Sequence, residues 1–198
     1  MTEIIPAILT NDVKELLELV AKAEGGEKVQ IDIIDGVFAN NRTIEPVVLE
    51  EVETSLKLDF HLMVKEPINW LEKCVRAGAN QVVGQIEMMA SQTQFVGRAQ
   101  EAGLKVGLAL DIDTPVSSLE MAILDDLDVV LVMSVKAGFG GQKFDAKAMP
   151  KIKELARIRS RDKTPFKICV DGGLTPDTIK RVTRIGADEV VMGRRILK

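Results

Sequence analysis

Cysteine is scarce in this chain. Only Cys74 and Cys169 occur in 198 residues, each inside an apolar segment, which excludes a disulfide framework and points to a reducing cytoplasm with both thiols packed in a core. No apolar run reaches the roughly 18 residues that span a bilayer, and the N-terminus lacks a basic stretch followed by a hydrophobic one, so a soluble, unprocessed protein with no membrane partner is expected. Excess basic charge is missing too. With a formal net charge of −4 and lysines and arginines interleaved with acids, there is no stripe to neutralise a run of phosphates, which argues against nucleic acid as a partner. The single histidine, His61, leaves no His-Glu-x-x-His or Cys-x-x-Cys spacing to build a metal or redox motif on.

Apolar residues are plentiful, at 46% hydrophobic, enough for one domain over residues 1–198 with a sizeable core. Short apolar runs alternate with amphipathic segments from end to end. The runs Ile4–Leu9, Val29–Ile34, Leu58–Val64, Gln81–Ile86, Lys105–Leu110, Val129–Val135, Phe166–Val170 and Glu189–Met192 read as strands. Between them, helical patterns cover Asp12–Ala23, Pro46–Leu56, Pro67–Ala77, Gln92–Ala102, Pro115–Leu124, Lys147–Arg159 and Pro176–Ile185. Gly78, Gly103 and Gly186 stand where helices would end in a left-handed residue, and Thr114-Pro115 and Thr175-Pro176 place a capping residue before a proline at a helix start. A βα repeat of about 25 residues makes a parallel sheet with helices outside, and eight repeats close a TIM (β/α)8 barrel. The chain stops at Lys198, so the eighth helix is expected to be absent or truncated, leaving apolar surface for a homo-oligomer to cover.

In such a barrel the working residues sit at the C-terminal ends of strands. Period-two alternation puts Gln30, Asp32 and Ile34 on one face of the second strand and Asp59, His61 and Met63 on one face of the third, with Asp171 at the tip of the seventh. Polar groups in otherwise apolar strands should point into the barrel and converge at its mouth. Two carboxylates facing each other there, Asp32 and Asp171, suit removal of a proton from one side of a carbon and delivery to the other. Low dielectric and mutual repulsion can hold one protonated and the other ionised. After the sixth strand, Gly138-Phe139-Gly140-Gly141 exposes backbone N–H groups of the kind that wrap a phosphate, and Lys136, Lys143, Arg194 and Arg195 lie near strand ends where they can assist.

The segments Ile5–Leu9, Ile31–Gly36, His61–Met63, Leu131–Val135, Gly138–Phe144 and Val170–Gly173 together resemble the ribulose-phosphate 3-epimerase family, over essentially the whole chain. That resemblance implies a TIM barrel interconverting D-ribulose 5-phosphate and D-xylulose 5-phosphate in the pentose phosphate pathway. Asp32 and Asp171 would act as acid and base at C3 through an enediolate, and a divalent metal (Mn, Mg, Fe or Zn) would be held by Asp32, His61 and Asp171. Substrate or phosphate contacts would fall at His61, Met63, Gly138, Phe139, Gly140, Gly141, Gly172, Gly173, Gly193 and Arg194.

Departures from the family pattern fall at the site. Gln30 stands where a histidine ligand is expected, Ala7 where a serine is, Ile34 for a methionine, Lys136-Ala137 for asparagine-proline and Arg194 for a serine. An amide oxygen in place of an imidazole nitrogen disfavours zinc or iron and suits magnesium or manganese, so a weakened or altered metal site is expected, with Gln30 as a candidate fourth ligand. The alternative to an epimerase is a catalytically weakened barrel that binds a phosphorylated metabolite or a protein partner. A third reading is a lyase or decarboxylase built on the same phosphate grip.

Overall fold

The structure is a computed structural model that describes residues 2–193, 196 and 197. Eight parallel strands form a closed barrel in chain order: β1 (Glu3–Ile8), β2 (Lys28–Ile34), β3 (Lys57–Met63), β4 (Ala79–Gln85), β5 (Lys105–Leu110), β6 (Val129–Met133), β7 (Lys167–Asp171) and β8 (Glu189–Met192), with β1 paired to β8. Helices lie between strands, as in a TIM barrel. The alternation of side chains divides the core in two. Val29, Ile31 and Ile33 of β2 turn outward and join Leu16 and Val20 of helix α1 (Val13–Ala23) in the layer between barrel and helices. Inside the barrel, Ile5, Ala7, Val83, Ala109, Leu131 and Cys169 fill the interior, so neither cysteine is a surface thiol.

Helix ends follow the capping chemistry of the sequence. Asp12 accepts from Lys14 N at 2.7 Å and Glu15 N at 3.2 Å at the start of α1, and Thr175 makes a capping box with Thr178 ahead of α5 (Pro176–Arg184). Gly78, Gly103 and Gly186 adopt φ of +74°, +77° and +118°, the left-handed exits expected of them.

Three of the expected helices are cut down. Pro46–Leu56 shrinks to the 3₁₀ turn Pro46–Leu49, and Pro67–Ala77 opens as a 3₁₀ turn before α2 (Leu71–Arg76). At Thr114-Pro115 no helix starts. Pro115 is extended, and the stretch to Asp126 contains only the 3₁₀ segments Val116–Ser118 and Met121–Asp126. The reason is tertiary. From α3 (Gln92–Glu101) the Gln92 side chain donates to Ser118 O at 2.7 Å and accepts from Glu120 N at 3.0 Å, satisfying backbone groups that a helix would otherwise pair. The segment starting at Lys147 does form a long helix, α4 (Ala148–Asp162). Among the described residues no helix follows β8, and none of the helices is long and apolar enough to cross a membrane.

Candidate active site

Strand register sets the site. Asp32 of β2 stands level with His61 of β3, one layer above Gln30 and Asp59, while Asp171 ends β7 beside Met133 and Val191. Thr43 holds the end of β2 in place, donating to Asp32 O at 2.8 Å and accepting from Ile34 N at 2.8 Å. Ser134 does the same for β7, its hydroxyl lying 2.8 Å from Asp171 O and 2.6 Å from Gly172 O.

The three residues expected to hold a metal do come together. His61 Nδ1 lies 3.2 Å from Asp32 Oδ1 and 3.9 Å from Asp171 Oδ2, and one ligand atom from each of the three falls within 4.8 Å of the others. One imidazole and two carboxylates fit a divalent cation with a preference for oxygen. Gln30 is placed differently from expectation. Its amide nitrogen, a donor, faces both acids at 2.8 Å from Asp32 Oδ1 and 2.9 Å from Asp171 Oδ2, so it bridges the carboxylates and is not oriented as a ligand.

Burial and the charge of Asp32 push the Asp171 carboxyl well above the ordinary carboxylate range, to about 7, against the opposing pull of His61 and the Gln30 amide. Burial works against charging His61, but its hydrogen bond to Asp32 and the charges of Asp32, Asp171 and Glu87 outweigh it and raise its pKa. Asp171 and His61 therefore hold their protons to higher pH than free carboxyl and imidazole groups do.

Above the acids opens a cavity of about 420 Å3. Asp32, Asp171, Met63, Gly138, Phe139, Gly140, Gly141, Gly172, Gly173 and Gly193 all line it, so the acid pair and the glycine turns share one chamber. His61 does not reach this wall. It is fully buried beneath, with Gln30, against a water-sized gap, and can meet a substrate only through what the acids hold. Arg194 and Arg195 lie outside the described residues. Lys136 is turned away, its ammonium paired with the buried carboxylate of Asp111, which also accepts from Ala137 N at 2.9 Å and Ile112 N at 2.8 Å. Neither Lys136 nor Lys143 lines the cavity.

Several residues that shape the site escaped sequence reasoning. Asn41 donates to Gly138 O at 2.7 Å, tying the loop after β2 to the glycine loop, and a Cβ on Gly138 would fall 2.4 Å from that of Ala39. Leu9, Glu15, Leu19 and Lys22 extend the cavity wall toward α1. Gln85 and Glu87 sit behind His61, and the only signal for them is the pair of glutamines, Gln81 and Gln85, that period two turns inward on β4.

A closed parallel barrel with paired acids and glycine turns at the C-terminal ends of its strands defines a TIM-barrel protein with a carboxylate-lined chamber at its mouth. The barrel is shared with a tryptophan synthase α-subunit variant from Pyrococcus furiosus (TM-score 0.72, 16% identity, 96% of this chain and 86% of that one) and with phosphoribosyl anthranilate isomerase from Thermus thermophilus (TM-score 0.64, 12% identity, 97% and 87%), a likeness of fold alone. Sequence goes further. The profile of the Ribulose-phosphate 3 epimerase family matches residues 3–197. Ribulose-phosphate 3-epimerase of Bacillus subtilis is 37% identical over 99% of this chain and 92% of its own length, that of Synechocystis 34% over 98% and 86%, and the chloroplastic enzyme of Arabidopsis thaliana 35% over 96% and 70%. The chain belongs to the ribulose-phosphate 3-epimerase family, a family of isomerases.

Proposed function

We propose that this protein epimerises a pentulose 5-phosphate at C3, interconverting D-ribulose 5-phosphate and D-xylulose 5-phosphate, with Asp32 and Asp171 as the proton-transfer pair. The observation that carries the proposal is the sharing of one chamber by two hydrogen-bonded, juxtaposed carboxylates and the glycine turns. The backbone N–H groups of Gly138–Gly141 and Gly172–Gly173 hold the phosphate at the rim, and the sugar reaches down to the acids. Asp32 takes the C3 proton from one face while Asp171, held protonated near neutrality by burial and its acidic neighbour, delivers one to the other. Reversal exchanges the roles. Met63, Met133 and Val135 supply apolar wall that keeps water from the carbanionic carbon. Asp32, His61 and Asp171 would hold a divalent cation, which when bound would neutralise charge developing on the substrate oxygens.

One observation favours the second reading, a phosphorylated-metabolite binder with little turnover. The Gln30 amide takes up an oxygen of each acid that a cation would use. Incubation with D-ribulose 5-phosphate in D2O, with and without Mn2+, separates the two. Deuterium at C3 is expected; clear sugar-phosphate binding with no exchange would establish the binder instead.

The proposal extends to a homo-oligomer. Val13 and Leu17 lie one turn apart on α1 and are 46% and 44% exposed, an apolar pair that a second copy would cover. A mass above the monomer is expected in sedimentation at micromolar concentration, and a strictly monomeric mass would remove this part.

A further inference from the structure

Gln85, the last residue of β4, and His61 are both fully buried, so each polar atom of their side chains needs a partner. Two groups beside Gln85 can only accept: the carbonyl of Ala109 and the Glu87 carboxylate, whose other oxygen already takes Asp111 N at 2.8 Å. They therefore draw the Gln85 nitrogen, which donates to Glu87 Oε2 at 2.8 Å and Ala109 O at 3.1 Å. Its oxygen is left facing His61 Nε2 at 3.2 Å and accepts a hydrogen bond from it. With Nε2–H on Gln85, the other ring nitrogen, Nδ1, faces Asp32 Oδ1 and Asp171 Oδ2.

We infer that Gln85, itself oriented by Glu87, is a positioning residue that fixes the Nε2–H tautomer and ring orientation of His61, so that Nδ1 is the atom offered to a divalent cation between the two acids. The inference builds on the acid-centre part of the proposed function, but not on turnover. Nδ1 then faces Asp32 Oδ1 as the nitrogen free to bind, and a cation taken up there leaves Nε2–H on Gln85. A glutamine at this place is more than core filling, because an apolar side chain of equal size would leave Nε2–H with nothing to donate to.

His61 is the only histidine, so long-range 1H–15N spectra of the labelled chain show a single imidazole. The expected result for the wild type is an Nε2–H pattern that persists when Zn2+ is added, with the shift change confined to Nδ1. Gln85→Leu should lose that pattern in favour of Nδ1–H and bind Mn2+ about 10- to 100-fold more weakly by calorimetry. Gln85→Glu, which as the neutral acid keeps a carbonyl oxygen for Nε2–H and an O–H to donate to Glu87, should retain the pattern and bind within about 3-fold of wild type, and it decides the matter if the leucine variant fails to fold. An unchanged Nε2–H pattern and affinity in Gln85→Leu, an equal loss in Gln85→Glu, or no Mn2+ binding by the wild type would each overturn the inference. Absence of C3 exchange with these outcomes intact would sink the epimerase reading and leave this one standing.

Discussion

Asp171→Asn is expected to lower C3 proton exchange by about 1,000-fold, within the range that a positioned acid or base contributes, and equivalent to about 4 kcal/mol of barrier. Asparagine matches the shape of aspartate, and β7 remains tied through Ser134, whose bonds go to backbone carbonyls at 171 and 172. Folding and phosphate contacts should therefore persist, so the loss should fall on kcat with KM within a few-fold. A pH signature accompanies it. The reactive form carries one proton on the acid pair in either direction, and Asp171 holds that proton up to about pH 7. Cation-free exchange should thus decline as pH rises through 7. A bound cation favours the ionised carboxylate and should move the decline to lower pH, and Asp171→Asn should lack it altogether. Exchange within 5-fold of wild type in that variant would remove Asp171 from the chemistry.

Most of the frame was legible because it rests on local chemistry. Strand and helix alternation, the glycine exits at Gly78, Gly103 and Gly186 and the Thr175 cap depend on near neighbours, and period two alone aims Gln30, Asp32 and His61 inward. What could not be read depends on partners far along the chain. Thr114-Pro115 looks like a helix start until Gln92, more than 20 residues earlier, captures Ser118 and Glu120. Lys136 looks like a phosphate ligand until Asp111, buried and already bonded to the foot of the same loop, claims its charge. At Gln30 the residue was visible but its direction was not, since an amide offers an oxygen or a nitrogen with nearly the same shape. Two acids converging on it decide for nitrogen.

The glycine turns survive all of these departures, and their junction is the most exacting place in the site. Gly173 has φ of +59°, and a Cβ added there would meet Phe144 N at 2.3 Å, Lys143 C at 2.6 Å and Gln142 O at 2.8 Å. Each of these is a backbone atom, so no side chain can swing aside, and the glycine loop must move off the turn after β7. Gly173→Ala adds to that the cost of a left-handed residue, about 1–2 kcal/mol. If phosphate is gripped between these two stretches, as proposed, separating them should weaken inorganic phosphate and D-ribulose 5-phosphate binding at least 10-fold, about 1.4 kcal/mol or more, by calorimetry. Asp32 lies apart on β2, and Asp171, though two residues before Gly173, is tied to Ser134, so turnover at saturating substrate should fall less than affinity does. Gly97→Ala on α3, where an added Cβ meets nothing within 4 Å, is the matched control and should bind as wild type does. Phosphate affinity within 2-fold of wild type in Gly173→Ala would show that the grip lies elsewhere along the cavity.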